Sequence, residues 1–151
     1  MTSAFDPATF ASMTFTGANS TESSPVPVGE WHALCTKQEI TRWQSKDGSK
    51  AGLKSTLIFE IEDPTVTEVT GRPKSFVRYE MMLDLTPEGG LDMGKGMNVN
   101  LGRTRAAMSL NDPTVPFSFD QFVGRPAVIA IKHEEWEGRL QARCHGVAKA
   151  A

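Results

Sequence analysis

Apolar and polar residues alternate along several stretches between Gly29 and Leu85, as they do in half-buried β-strands. The alternation runs through GEWHALCTKQEI, returns in LKSTLIFEIE, and returns again in SFVRYEMMLDL. Turn-forming segments rich in Gly, Pro, Asp and Lys separate the three stretches. The pattern therefore predicts three strands, the first of which is long enough to bend or bulge along its length.

The pattern changes after Leu85. Residues 86–98 are rich in Gly and irregular, and VNLGRTRAAMSLN from Val99 to Asn111 predicts a short helix. Ser118 then precedes a single predicted helical turn as its N-cap. The last segment, FVGRPAVIAIKHEEWEGRLQARCHGVA, contains two further alternating runs around the turn HEEWEG and predicts a hairpin.

Three strands, a helical insert and two strands make up the predicted order of elements. A chain of several short strands has to close or cover the edges of its sheet. We therefore expect an all-β domain over residues 29–151. Five strands with a short helix between strands 3 and 4 are the arrangement of an OB-fold, a five-stranded Greek-key barrel.

Residues 1–28 are rich in Ser, Thr, Ala and Pro, and predict a flexible N-terminal arm or linker. Phe5, Phe10 and Phe15 are expected to hold this arm against the domain or a partner subunit.

Composition places the chain among ordinary soluble domains and excludes some partners. It has 151 residues, 39% of them hydrophobic and 23% charged, which suits one domain. The net charge of −2 lacks the overall positive charge of a basic nucleic-acid binder, so a polyanion site would need local clustering of the 16 Lys and Arg. No stretch is long and apolar enough to span a bilayer, and no secretion signal is evident. A cytoplasmic location without membrane contact is therefore expected.

The sequence offers little chemistry for catalysis or for a cofactor. His32 and Cys35 lie an odd number of residues apart, so they face opposite sides of a strand, and no C-x-x-C pair exists. Glu134, Glu135 and Glu137 share a solvated turn, which gives no raised pKa for acid–base work. We therefore expect no metal, no cofactor and no enzymatic activity. Cys35 and Cys144 are expected to be buried thiols. A disulfide between them is the alternative if their strands are neighbours.

The G-x-W-x-A start at Gly29, the SKDGSK loop and the FVGRPAVIAIKHEEWEGRLQAR ending together resemble phage-encoded OB-fold single-stranded DNA-binding proteins. The resemblance extends over Gly29–Val147. It implies a protein that coats exposed single-stranded DNA during phage replication and recombination, in the cytoplasm of an infected bacterium. It also implies replication or recombination proteins as partners. The edges of an incomplete barrel and the N-terminal arm are compatible with a homodimer.

Binding of single strands without sequence preference requires cations along the phosphates and flat side chains on which bases stack. The candidates lie in or beside the first loop, on strands 2 and 3, and on the last hairpin. Strand 3 has two open phases: Phe76 and Arg78 point outward if Val77 and Tyr79 point inward, and the opposite phase exposes Tyr79. The predicted nucleic-acid-binding residues are Trp43, Lys46, Lys50, Lys54, Phe76, Arg78, Tyr79, Lys132, Trp136, Arg139 and Arg143.

Structural roles compete with each of these assignments. A single exposed Lys or Arg commonly only solvates the surface, Trp43 could be a core aromatic, and Trp136 could cover one end of the barrel. Arg103 and Arg105 could make structural ion pairs. The alternative functions are a virion or assembly protein built on a small β-barrel, and a protein-interaction module.

Overall fold

The computed structural model describes residues 5–20 and 24–150, and most of its regular structure is β. The order of elements follows the predicted one: three strands, a helix, then two strands. One helix precedes the strands, a further short helix lies between the second and third strands, and a 3₁₀ turn precedes the fourth. The elements are α1 (Pro7–Ser12), β1 (Gly29–Gln44), β2 (Ala51–Ile61), α2 (Pro64–Thr70), β3 (Ser75–Met82), α3 (Val99–Ala107), the 3₁₀ turn (Phe119–Phe122), β4 (Pro126–Trp136) and β5 (Arg139–Ala148).

The five strands form one antiparallel sheet in the order β3-β2-β1-β4-β5. β1 holds the sheet together, because its first half pairs with β4 and its second half with β2. A β-bulge between Cys35 and Lys37 lies close to this change of partner, which confirms the predicted irregularity in the long first strand. The prediction of an all-β architecture is thereby confirmed.

The predicted closure of the barrel is corrected by the structure. In residues 5–20 and 24–150, no hydrogen-bonded ladder joins β3 to β5, so these strands are the two edges of an open sheet. They still come close enough to form the two walls of a cleft. Pro25 and Val26, in the segment that leads into β1, also line this cleft.

One face of the sheet forms the core. Leu57, Phe59 and Ile61 of β2 are fully buried there, as the alternation predicts. Helices α2 and α3 and the 3₁₀ turn cover this face. They and the segment after α3 contribute the buried side chains Val66, Leu101, Met108 and Phe122. Strands β1, β3, β4 and β5 add Ala33, Cys35, Val77, Met81, Ala127, Ile129, Ile131 and Cys144.

Helix α3 confirms the predicted helical insert, although it ends at Ala107 rather than Asn111. Arg105 is buried and lies 4.1 Å from the ring centroid of Phe117, while its Nε donates to the Leu110 carbonyl at 2.9 Å. Arg105 therefore has a structural role, as the alternative to DNA binding predicts. Its partners are an aromatic ring and a carbonyl oxygen, whereas the prediction was an ion pair. The single helical turn predicted after Ser118 is also present. It is the 3₁₀ turn Phe119–Phe122, and Ser118 occupies its N-cap position.

Helix α2 was not predicted, because DPTVTEVTGRPK was interpreted as a connection. The signals for a helix are nevertheless present in it. The Asp63 side chain accepts from the Thr65 amide at 2.8 Å, Pro64 occupies the first turn, and Gly71 ends the helix with φ at 76°. An Asp N-cap, a Pro in the first turn and a left-handed Gly after the last turn are typical of helix ends.

Both cysteines are buried, as predicted, and their register keeps them apart. Ile131 pairs with Gly29 on one side and with Cys144 on the other. Cys35 lies six residues further along β1 than Gly29. Six residues of strand extend over about 20 Å, whereas a disulfide needs Cα atoms within about 7 Å. Burial raises the pKa of both thiols to about 11. These residues are therefore buried structural thiols.

Within the described ranges, no helix has the length and apolar character needed to cross a membrane.

Candidate functional site

A cleft of about 1230 Å³ lies between the edge strands β3 and β5, and we call it the β3–β5 cleft. The segment ahead of β3 and β3 itself form one wall, and the β4–β5 hairpin forms the other. Among the described residues, five lining side chains are cationic and two are carboxylates, which leaves an excess of three positive charges on a protein with a net charge of −2. The cations are Arg72, Lys74, Arg78, Lys132 and Arg143, and the carboxylates are Glu80 and Glu134.

The two carboxylates are already paired with cations. Glu80 accepts from Lys54 Nζ at 3.2 Å and lies 4.0 Å from an Arg78 guanidinium nitrogen. Glu134 lies 3.1 Å from Arg143 Nε. Exposed pairs of this kind contribute about 0–1 kcal/mol to stability. Breaking either pair therefore costs little stability, but the carboxylate that is left unpaired repels an incoming phosphate.

The alternation of β3 settles which phase of that strand faces outward. Val77 and Met81 are buried, so Phe76 and Arg78 lie on the outward face, with the Phe76 side chain 59% exposed. Tyr79 is half-buried and packs against the core, and burial raises the pKa of its phenol. Tyr79 thus lies away from the surface that carries Phe76.

Of the predicted residues, Phe76, Arg78, Lys132 and Arg143 are brought together in the β3–β5 cleft. Lys54 reaches its rim through the bond to Glu80. The outward positions of the last hairpin pair across its strands, with Lys132 opposite Arg143. This pairing brings two cations from distant positions in the hairpin sequence to one place in the wall.

Trp136 and Arg139 lie at the tip of the hairpin, where they are paired across the strands. Glu137 and Gly138 form the tight turn, and both have positive φ. The Trp136 side chain is exposed, so it does not cover one end of a barrel. Neither residue lines the β3–β5 cleft, although their neighbour Leu140 does.

The first hairpin loop places Lys46 and Lys50 on the surface, away from the residues that line the cleft. Asp47 organises this loop by accepting from the Ser49 amide at 3.0 Å and from the Ser45 and Ser49 hydroxyls at 2.7 Å each. The bond from the Ser49 amide is the main reason that the pKa of Asp47 falls to about 2. A fixed negative charge therefore lies between the two lysines.

Trp43 lies against the neighbouring strand on the same side of the sheet as Lys54. It is paired with Gly52, and a Cβ added at Gly52 would lie 2.9 Å from its Nε1 and 3.1 Å from its Cε2. The indole is half-buried, and its Nε1 has no hydrogen-bond partner among the described residues. Trp43 therefore packs on the surface of the sheet, and it can do so because Gly52 has no side chain.

The contact between Trp43 and Gly52 gives a first prediction. Gly52→Ala is expected to destabilise the protein by about 1–3 kcal/mol, because the new methyl group has to displace the indole. Gly102→Ala is the matched control, since a Cβ there meets no described atom within 4 Å apart from its chain neighbours and the backbone of its own helix. Ala in a helix is favoured over Gly by about 0.5–1 kcal/mol. Urea denaturation should show opposite signs for the two variants, and equal effects would contradict the packing described for Trp43.

The sequence interpretation missed several lining residues, namely Arg72, Lys74, His133 and His145. GRPK directly before strand 3 carries two of them and was a usable signal. The histidines gave no such signal, because their placement depends on the cleft. His133 Nε2 lies 2.7 Å from the Val26 carbonyl oxygen, a contact that spans more than a hundred residues of sequence.

No group of three or more His, Cys, Asp or Glu side chains suited to a metal ion occurs in the part of the chain that the structure describes.

A scan against protein-family models and a search of curated proteins each found no match to this chain. The geometry and charge of the β3–β5 cleft are therefore the basis for a function of this chain.

Proposed function

We propose that this protein binds single-stranded DNA without sequence preference, along the β3–β5 cleft and the outward face of β3, and that it performs no catalysis. The observation that supports this proposal best is one cleft, on an acidic protein, that is lined by five cations and an exposed aromatic ring. Arg78, Lys132 and Arg143 come from distant parts of the sequence and line the same cleft as Phe76. Cations beside a stacking ring are what a single strand requires of its binding groove.

The fold assignment belongs to the same proposal. An open five-stranded antiparallel sheet in the order β3-β2-β1-β4-β5, with a helix between the third and fourth strands, supports the assignment to a partly open OB-fold. The face of strands 2 and 3 and the first and last loops are the parts of that fold that hold oligonucleotides. The β3–β5 cleft adjoins this face, because Phe76, Arg78 and Glu80 belong to both.

The biological setting follows from the resemblance in the first loop and the last hairpin. We place the protein in phage DNA replication or recombination, in the cytoplasm of the infected cell, where it would coat transiently exposed strands.

Titration of a labelled oligo-dT against the protein tests this function. Neutralisation of about three to five phosphates gives a salt slope of about −0.7 per phosphate, so an increase from about 50 to 200 mM salt should weaken binding roughly 20- to 130-fold. Duplex of the same length, used as a competitor, should displace little of the oligo-dT. Absence of binding at the lower salt concentration, or equal affinity for duplex, would reject the proposal.

A role in subunit assembly is the second candidate, and one observation favours it. Phe5, Phe10 and Phe15 are largely exposed, which is unusual for three aromatic side chains in one short segment. If oligo-dT does not bind, light scattering on the intact protein would test this role, since a stable oligomer is then expected.

A further inference from the structure

The N-terminal arm leaves the domain at the β3–β5 cleft itself. Pro25 and Val26 line the cleft, and Val26 is buried in the core. The Val26 carbonyl lies 2.7 Å from His133 Nε2 in the β4–β5 hairpin. The Pro27 carbonyl accepts from Trp31 Nε1 at 2.8 Å. The segment that joins the arm to β1 is therefore fixed at the cleft, and residues before Pro25 start from there.

The composition of the arm is complementary to that of the cleft. Residues 5–20 contain no Lys or Arg, and their one charged side chain is Asp6. The cleft has an excess of three positive charges among the described residues. The arm also carries three Phe residues, and the cleft offers Phe76 and Leu140 as exposed apolar partners.

The aromatic side chains of the arm are not covered in this structure. Phe5, Phe10 and Phe15 are 92%, 63% and 68% exposed as residues, and α1 buries none of its residues. Phe10 and Phe15 contact each other, with ring centroids 5.5 Å apart. A cluster of exposed rings is an apolar surface that gains from being covered.

The arm is long enough to cover the cleft to which it is attached. Phe15 lies ten residues before Pro25. Ten extended residues reach up to about 35 Å. Attachment also gives the arm an effective concentration of about 1 mM at the cleft, which a second copy in dilute solution does not reach. These observations favour the protein's own arm as the occupant of the cleft.

We propose that residues 5–20 fold back onto the β3–β5 cleft of the same molecule and compete there with single-stranded DNA, with Phe10 and Phe15 in the positions of stacked bases. The competition rests on the function proposed above, whereas the docking itself does not. The arm is then an internal competitor that lowers the affinity of the cleft until a strand displaces it.

A spin label on the arm tests the docking directly. Ala11→Cys introduces an exposed thiol beside Phe10, and it can be labelled selectively because the native thiols are buried with pKa values of about 11. In the intact protein labelled with ¹⁵N, the label should broaden the amide signals of Phe76, Arg78 and Leu140. It should leave those of Val66 and Lys95 unchanged. Phe10→Ser with Phe15→Ser in the same background should remove the broadening.

Two results would overturn the docking. One is the absence of broadening at the cleft. The other is broadening that appears only when spin-labelled protein without ¹⁵N is mixed with unlabelled ¹⁵N protein, since the arm would then reach a second molecule.

The competition is measured separately with oligo-dT. If the arm docks with an internal dissociation constant of about 0.1–0.3 mM at an effective concentration of about 1 mM, its removal from the cleft raises affinity about 4- to 11-fold. Phe10→Ser with Phe15→Ser should therefore bind oligo-dT more tightly than the unaltered protein. Unchanged or weaker binding would overturn the competition. If neither protein binds oligo-dT, the competition and the proposed function fall together, and the spin-label result still decides the docking.

Discussion

Reversal of two cleft charges, Arg78→Glu with Lys132→Glu, is expected to lower the affinity for oligo-dT at least about 100-fold at low salt. The two cations lie in opposite walls of the β3–β5 cleft, so the variant changes its charge from an excess of three positive to one negative. Loss of two phosphate contacts, together with the added repulsion, corresponds to about 3 kcal/mol, at about 1.4 kcal/mol per tenfold change. Fluorescence anisotropy at about 50 mM salt measures the effect.

The matched control carries the same change in net charge away from the cleft. Lys95 and Lys149 are exposed and do not line the cleft, so Lys95→Glu with Lys149→Glu should bind almost as the unaltered protein does. Equal losses in the two double variants would mean that net charge, and not the cleft, governs binding. All four positions are exposed. Both variants should therefore keep their stability to within about 0.5 kcal/mol.

Phe122→Ala is expected to destabilise the protein by about 3–5 kcal/mol, a large part of the roughly 5–15 kcal/mol that stabilises a typical domain. Phe122 is fully buried, and its ring packs against Phe117 at 5.3 Å and Phe119 at 6.1 Å between centroids. The segment after it is bonded to β1 at the bulge, where the Gly124 amide donates to the Cys35 carbonyl at 2.8 Å. Loss of the ring therefore leaves a cavity where the turn meets the sheet.

Phe76→Ala is the control for this prediction, because the same ring is removed from an exposed position. We expect a change below about 1 kcal/mol in the free energy of unfolding, since little buried surface is lost. Under the proposed function, Phe76→Ala should instead weaken oligo-dT binding, by roughly 1–3 kcal/mol for one stacked base. Urea denaturation of the two variants compares them, and similar destabilisation by both would contradict the burial described for Phe122.

The fold could be predicted from the sequence where local patterns decide it. Alternation identified all five strands and the buried set on β2, because a side chain on every second residue faces the core. Helix α2 was missed because seven residues with three Thr and two Val do not show a helical period, even though Asp63, Pro64 and Gly71 mark its ends. Tyr79 and Phe76 could not be separated, because both phases of β3 place an aromatic residue outward.

The site could be predicted less well, since it depends on distances between strands that are far apart in sequence. Lys132 and Arg143 are brought together by hairpin register, which the sequence suggests, whereas Arg72 and Arg78 join them only because the sheet coils until β3 faces β5. The contact of Trp43 with Gly52 needs a register of β1 on β2 that alternation does not specify. Lys46, Lys50, Trp136 and Arg139 were correctly placed on loops and turns, but those loops and turns lie outside the cleft.

The division of β1 between two partners has a consequence for how the chain folds. The β2–β3 hairpin and the β4–β5 hairpin are each built from local contacts, but both need β1 to join one sheet. Gly29 meets Ile131 in the pairing that unites them. This pairing closes a loop of about a hundred residues. The chain loses the conformational entropy of that loop before contacts in the core compensate for the loss. We therefore expect the β4–β5 hairpin to join the other strands in a slow step.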